Sequence, residues 1–303
     1  ERAHAVFGRP GGGAGSQREP AGCGSSQYGG EDEGGDEDGG ESAQWEERHP
    51  GPHEAAGLLK LFLDLDRLAV AVDEIMADPS PLSRDYVQDG AGRFFTDHHM
   101  SRRNDTFRDF MTNSPAGTVA AALLRSDKLN LVDEHLLVKE LGTNVPTYWH
   151  HDLPYFEVSW QDFASFWIPL DPVTADTGAM KFAKGSHFWG KVFKPVMIGN
   201  GQDAKGAAEF DGPAPDIDSA PEQYKVELYE MARGDALFFH AATLHGGEPN
   251  RSPGTRRRAL SLRYGGSRAT WEPRDYVPSR PETPDLTPGG SLDGDDYPVI
   301  WRA

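Results

Sequence analysis

Two short runs in the chain carry residue types that can hold a metal ion. The first is Tyr148-Trp149-His150-His151-Asp152. On an extended strand, side chains at i and i+2 share a face roughly 6–7 Å apart, so His150 and Asp152 can reach one ion while His151 points away. An isolated His-x-Asp is more often an ordinary polar strand end. The second run raises the odds: a Gly234-Asp235 turn, the apolar stretch Ala236 to His240, then Thr243, Leu244, His245 and Gly246, and on to Asn250 and Ser252. A strand with a histidine at its far end lets a residue distant in sequence complete a three-ligand face. His245 is the expected third ligand. His240 competes, its ordinary role being a strand histidine hydrogen-bonded in the core. Two neutral imidazoles and one carboxylate on one face of an octahedral ion leave positions open, which suits non-haem Fe(II) and dioxygen; zinc could occupy the same ligands.

Iron is preferred because of the next element. Arg256, Arg257 and Arg258 lead into Ala259-Leu260-Ser261-Leu262-Arg263-Tyr264. On that strand Arg257, Ala259, Ser261 and Arg263 share a face, and a guanidinium there can grip a carboxylate through a forked pair of hydrogen bonds. A dicarboxylate cosubstrate is implied. The competing reading is a solvated basic patch on an acidic surface.

These groups need a scaffold. The chain has 303 residues, a net charge of −18, and is 37% hydrophobic with 35 Gly and 23 Pro, a punctuated composition that favours turns over long helices. The negative charge opposes binding to a phosphate backbone, so nucleic acid is not an expected partner. No run is long and apolar enough for a membrane span or a secretory signal, and a cytoplasmic location is expected. The single cysteine, Cys23, excludes an intramolecular disulfide or a cysteine-based zinc site. Residues 1–55 read as a disordered tail: up to Pro52 there is no Leu, Ile or Met, and an acidic run spans Glu31 to Glu41. The remainder, 56–303, reads as one domain, with a mainly helical cover over 56–130, a core over 131–266 and an extended segment over 267–303.

Leu58, Leu61, Phe62, Leu65, Leu68, Val72 and Ile75 recur every three or four residues and predict a helix ending near Asp78, before Pro79 and Pro81. Two shorter helices fit between Asn104 and Arg125, with Ser114 as the cap of the second and Pro115 as its first residue. Six runs rich in β-branched and aromatic residues follow: Leu136–Leu141, Phe163–Leu170, Met180–Ala183, Tyr224–Met231, Ala236–His240 and Arg257–Tyr264. They predict a β-sandwich or barrel with the helices covering a sheet.

In combination, the Trp-His-His-Asp-Leu-Pro-Tyr run at 149–155, Trp167-Ile-Pro-Leu-Asp171, Gly178, Gly185-Ser186-His187, Gly234-Asp235 and the run from His245 through Asn250 and Ser252 to Arg-Arg-Ala-Leu resemble the phytanoyl-CoA dioxygenase family. The resemblance covers roughly Leu58 to Trp301. It implies a double-stranded β-helix, or jelly roll, and an Fe(II)- and 2-oxoglutarate-dependent dioxygenase that uses dioxygen to hydroxylate a small organic substrate, with release of succinate and CO2. It further implies that His150, Asp152 and His245 bind iron and that Arg257 holds the distal carboxylate of 2-oxoglutarate. Ser252 and Lys139 are further candidates, and Trp167 would wall the pocket. The spacing after His245 is one residue longer than the family's, which keeps Arg256 as an alternative to Arg257. Other readings of the same residues are a non-catalytic jelly-roll binding protein and a zinc-dependent hydrolase. The substrate and the oligomeric state are not legible in the sequence.

Overall fold

The computed structural model describes residues 3–6, 52–87, 92–204, 210–274 and 286–303, with side chains described from Asp64 onward. Most of the tail expected to be disordered, residues 1–2 and 7–51, lies outside them.

The strands are β1 (Ala3–Val6), β2 (Arg84–Tyr86), β3 (Phe94–His98), β4 (Lys128–Lys139), β5 (Thr147–His150), β6 (Phe163–Pro169), β7 (Met180–Ala183), β8 (Val226–Tyr229), β9 (Ala236–His240), β10 (His245–Gly247), β11 (Arg257–Gly266) and β12 (Val299–Arg302). The helices are α1 (Pro52–Ala77), α2 (Asp105–Asn113) and α3 (Ala116–Leu124). A major sheet runs β1-β9-β6-β11-β4-β3-β2, with β12 pairing with the start of β4; a minor sheet runs β5-β10-β7-β8. The result is the double-stranded β-helix, mainly β with helices on one sheet.

Strand alternation on the major sheet builds two cores. Leu260, Leu262 and Tyr264 of β11, with Phe166 and Ile168 of β6, face the helices and pack with Leu65, Leu68, Val72 and Ile75 of α1 and with Phe107 and Phe110 of α2. The intervening residues face the minor sheet: Trp167, Leu237, Phe239 and Ala259 join Met180 and Phe182. The six expected strands all form within a few residues of their predicted ends, β4 starting earlier, at Lys128. In α2, Asn104 caps the first turn by accepting from the amides of Thr106 and Phe107. The start of α3 differs from expectation: Pro115 is the cap and Ala116 the first helical residue, while Ser114 Oγ accepts from the Ala116 amide. Among the described residues, no helix is long and apolar enough to cross a membrane.

Candidate metal centre

His150 closes β5 and His245 opens β10, and the antiparallel register sets them opposite each other. Asp152 follows two residues later, at the head of a short 3-10 turn over Leu153–Tyr155, so the carboxylate reaches the site from a turn rather than from the strand face expected for it. One ligand atom from each of the three lies within 4.8 Å of the others. Gly246 allows the close approach of β10 to β5: a Cβ there would meet the Thr147 carbonyl oxygen at 2.9 Å.

Each imidazole is oriented by its own chain. Nδ1 of His150 donates to the Tyr148 carbonyl at 2.8 Å and Nδ1 of His245 to the Thr243 carbonyl at 2.9 Å. With the proton on Nδ1, Nε2 of each neutral ring keeps its lone pair. Those two nitrogens lie 3.8 and 4.0 Å from Oδ1 of Asp152. Burial, and then the neighbouring His150, push His245 down to about 3, and burial lowers His150 as well. Both rings are therefore neutral, the form that ligates. Burial alone would raise Asp152, but the charge and hydrogen bond of Arg263 outweigh it and hold the carboxyl well below its ordinary range. Arg263 donates to Oδ1 of Asp152 at 2.9 Å and to Asp133 at 3.1 Å, and the Ser165 hydroxyl donates to Oδ2 of Asp152. Two neutral nitrogens and one anionic oxygen with free lone pairs form a donor set that fits a divalent iron.

The three residues line a cavity of about 720 Å³ that also receives Arg257 and Trp167. Arg257 is 2% exposed, its guanidinium 5.6 Å from the Trp167 ring, and its one hydrogen bond to the described residues is a long one, 3.4 Å, to the Leu137 carbonyl. Its Nε is buried without a partner, and burial depresses it to about 10. A desolvated cation without a carboxylate fits the distal end of a dicarboxylate. Its neighbours are committed elsewhere. Arg256 pairs with Asp73 on α1 at 2.7 Å, and Arg258 forks onto Asp171 while bonding the Ala69 carbonyl. Lys139, opposite Arg257 in the register, is buried and donates to the Glu248 carbonyl at 2.6 Å. Ser252 sits in the loop organised by Asn250, whose Oδ1 accepts from its amide, and does not line the cavity.

Other histidines lie apart from the three. His151 turns away, edge-on to Phe193 with centroids 5.4 Å apart, and His240 accepts from the Ala242 amide beside His187. Sequence reasoning put Arg263 on the inward face but found neither its bond to Asp152 nor the polar wall of His98, His99, Asp133 and His135. The signal for the latter was present: a His-His pair closing the apolar Phe94-Phe95 strand.

A double-stranded β-helix that gathers two imidazoles and one carboxylate beside a buried guanidinium defines the non-haem, 2-oxoglutarate-dependent oxygenase type of protein. The family model for phytanoyl-CoA dioxygenase (PhyH) matches residues 64–259. The chain belongs to that family, one of Fe(II)- and 2-oxoglutarate-dependent oxygenases. A curated relative from Stutzerimonas stutzeri, named "Probable alpha-ketoglutarate-dependent hypophosphite dioxygenase", is 28% identical over 154 residues, or 47% of this chain and 51% of the relative. The match thus spans about half of that protein. Among solved structures, the non-heme alpha ketoglutarate dependent epimerase SnoN from nogalamycin biosynthesis is 23% identical with a TM-score of 0.59 over 82% of this chain and 100% of that one. SnoN in complex with Fe3+, alpha ketoglutarate and nogalamycin RO is 22% identical with a TM-score of 0.60 over 81% and 99%. The carbocyclase SnoK from the same biosynthesis is 19% identical with a TM-score of 0.57 over 78% and 87%. These likenesses show the shared fold.

Proposed function

We propose that this chain is an Fe(II)- and 2-oxoglutarate-dependent dioxygenase that hydroxylates a small organic substrate: 2-oxoglutarate, dioxygen and R–H give succinate, CO2 and R–OH. The observation that carries the reading is the juxtaposition of His150, Asp152 and His245 with the buried guanidinium of Arg257, whose Nε has no partner, in one cavity.

In this reading His150 Nε2, His245 Nε2 and one Asp152 oxygen hold the iron, which when bound supplies dioxygen activation coupled to decarboxylation of 2-oxoglutarate. The chain's own work is positioning. Arg257 anchors the far carboxylate of 2-oxoglutarate, with Trp167 as the wall behind it, and Arg263 and Ser165 fix the Asp152 carboxylate in place. The backbone carbonyls of Tyr148 and Thr243 fix the two tautomers. Apolar residues around the remaining space, among them Tyr148, Phe156, Val196 and Ile198, keep water from the reacting centre. A cavity of about 720 Å³ is far larger than the hypophosphite named for the curated relative and supports an organic substrate of drug-like size.

Succinate release tests the proposal. Purified chain given Fe(II), ascorbate and 2-oxoglutarate under air should release succinate without added substrate, and His150→Ala should release none. Failure of the unsubstituted chain to make succinate, or undiminished release by the variant, would refute it. Activity that survives removal of oxygen would point instead to hydrolysis at the same ligands.

A further inference from the structure

The cavity has a second polar wall that the chemistry above does not use. β3 ends on His98, and His99 after it sits in the left-handed region at φ 55° and ψ 39°, a conformation that costs a non-glycine residue on the order of 1–3 kcal/mol and concentrates at functional sites. The register sets His98 against His135 of β4, and the two rings stack with centroids 3.9 Å apart. Nδ1 of His98 lies 3.1 Å from Oδ1 of Asp133, and Nε2 of His99 lies 3.9 Å from the same oxygen.

Asp133 is buried. Burial alone would raise its carboxyl, but the hydrogen bond from His98 and the charge of Arg263 oppose this and hold it ionised. An ionised carboxylate only accepts, so His98 Nδ1 donates to it, and in the neutral imidazole Nε2 is left as an acceptor. That nitrogen makes no hydrogen bond to the described residues, and the ring, 31% exposed, lines the cavity. His135 lines the same space at 6% exposure, its Nε2 buried without a partner. A buried nitrogen in that state costs free energy until something bonds to it. The two NH2 groups of Arg263 reach Asp133 and Asp152 separately, which puts this wall one guanidinium away from the iron-binding carboxylate. Arg102 and Arg103 line the same space but are engaged by Asp296 and Asp97, so the wall offers no uncompensated cation there for an anionic ligand, and Leu82, Tyr86 and Ile198 add apolar surface beside it.

From this geometry we infer that the substrate carries a neutral hydroxyl on an apolar, ring-sized body, and that the His98–Asp133 dyad holds the hydroxyl by accepting its hydrogen at His98 Nε2. His98 is a specificity-determining residue. The word substrate rests on the oxygenase reading; the preference of the dyad for a hydroxyl donor does not.

Three probes of one shape test it: 2-naphthol, 2-methoxynaphthalene, which keeps the oxygen but lacks the donor, and naphthalene. Each is titrated into the full chain, with and without Fe(II) and 2-oxoglutarate under argon. The expected result is that 2-naphthol binds about tenfold tighter than the other two, as one added hydrogen bond requires. His98→Phe should bring 2-naphthol to the affinity of naphthalene and leave naphthalene unchanged; His98→Leu serves the same purpose should the Phe variant fail to fold. Equal affinity of the unsubstituted chain for 2-naphthol and 2-methoxynaphthalene, no measurable binding of 2-naphthol, or a hydroxyl preference that survives both substitutions would each overturn the inference. The metal-free arm separates the two claims. A hydroxyl preference in a chain that makes no succinate sinks the oxygenase reading alone, and succinate release without the preference sinks the dyad alone.

Discussion

Replacing Arg257 by Met should make the unliganded protein more stable and its response to 2-oxoglutarate weaker. The guanidinium is 2% exposed, forms no ion pair with a described carboxylate and is depressed by burial, against a weaker pull from Asp171, to about 10 from 12.5. At 1.36 kcal/mol per pKa unit, that displacement corresponds to a penalty on the order of 3 kcal/mol for keeping the cation buried. A depressed cation weakens the fold at every pH below about 10, and the weakening is relieved only as pH rises from there toward 12.5. Methionine fills similar space without charge and also relieves the repulsion on Lys139, which burial and then Arg257 hold well below its ordinary range. Removing the penalty should add about 1–3 kcal/mol of stability, or a Tm rise of roughly 2–10 °C for a domain of this size. The same substitution removes two charge-assisted hydrogen bonds to the distal carboxylate of 2-oxoglutarate, together about 3 kcal/mol or more, which weakens its binding by about 100-fold. Thermal denaturation under argon with Fe(II), with and without 2-oxoglutarate, reads both effects. A Tm that falls in the unliganded variant, or a stabilisation by 2-oxoglutarate as large as in the unsubstituted chain, would refute the view of Arg257 as a cation awaiting its partner.

Arg263→Met leaves Asp133 and Asp152 buried without their shared guanidinium, and urea denaturation should show a loss of about 3–5 kcal/mol. Glu134 is 1% exposed and is raised by burial to about 7 from 4.5. The folded state therefore binds the extra proton, so the contribution of Glu134 to stability is fully present below about pH 4.5 and is lost as pH rises through 7; Glu134→Gln should flatten that part of the decline in Tm measured against pH. The Tyr155 hydroxyl donates to the Val196 carbonyl at 2.6 Å and accepts from the Val196 amide at 2.7 Å. Tyr155→Phe should free the 195–204 segment and speed its cleavage under limited proteolysis, with little change in Tm.

Chemistry that repeats along the chain was legible before the structure. Alternation on β11 put Arg257 and Arg263 on the face opposite Leu260 and Leu262, and the structure keeps that division. The approach of His150 to His245 was expected from residue type and from a familiar combination of motifs. What stayed hidden was set by register. His98 meets Asp133 across 35 positions and Arg263 meets it across 130, and no periodicity in either segment announces a partner that far away. Asp152 shows the limit of strand arithmetic in another way. The i, i+2 argument brought it to the right place although β5 stops at His150 and a turn delivers the carboxylate. That Arg257 and not Arg256 lines the cavity was equally hidden, because it takes α1 in position for Asp73 to engage Arg256.

The 195–204 segment, whose Val196 and Ile198 line the cavity, is fastened largely through its backbone. The Tyr155 hydroxyl grips the amide and carbonyl of Val196, and the turn beyond it closes through backbone pairs between Met197 and Gln202 and between Pro195 and Ala204. Gly199 and Gly201 lie flat on the rings of Tyr86 and Tyr148, where added Cβ atoms would each come within 2.7 Å of the ring. Anchorage therefore rests largely on one phenol, two glycines and the peptide groups themselves, whereas the side chains of Val196 and Ile198, which line the chamber, take no part in those bonds. Mutation can reshape the entrance at those two positions without undoing its attachment, a ready route by which descendants of one ancestral scaffold acquire new clients.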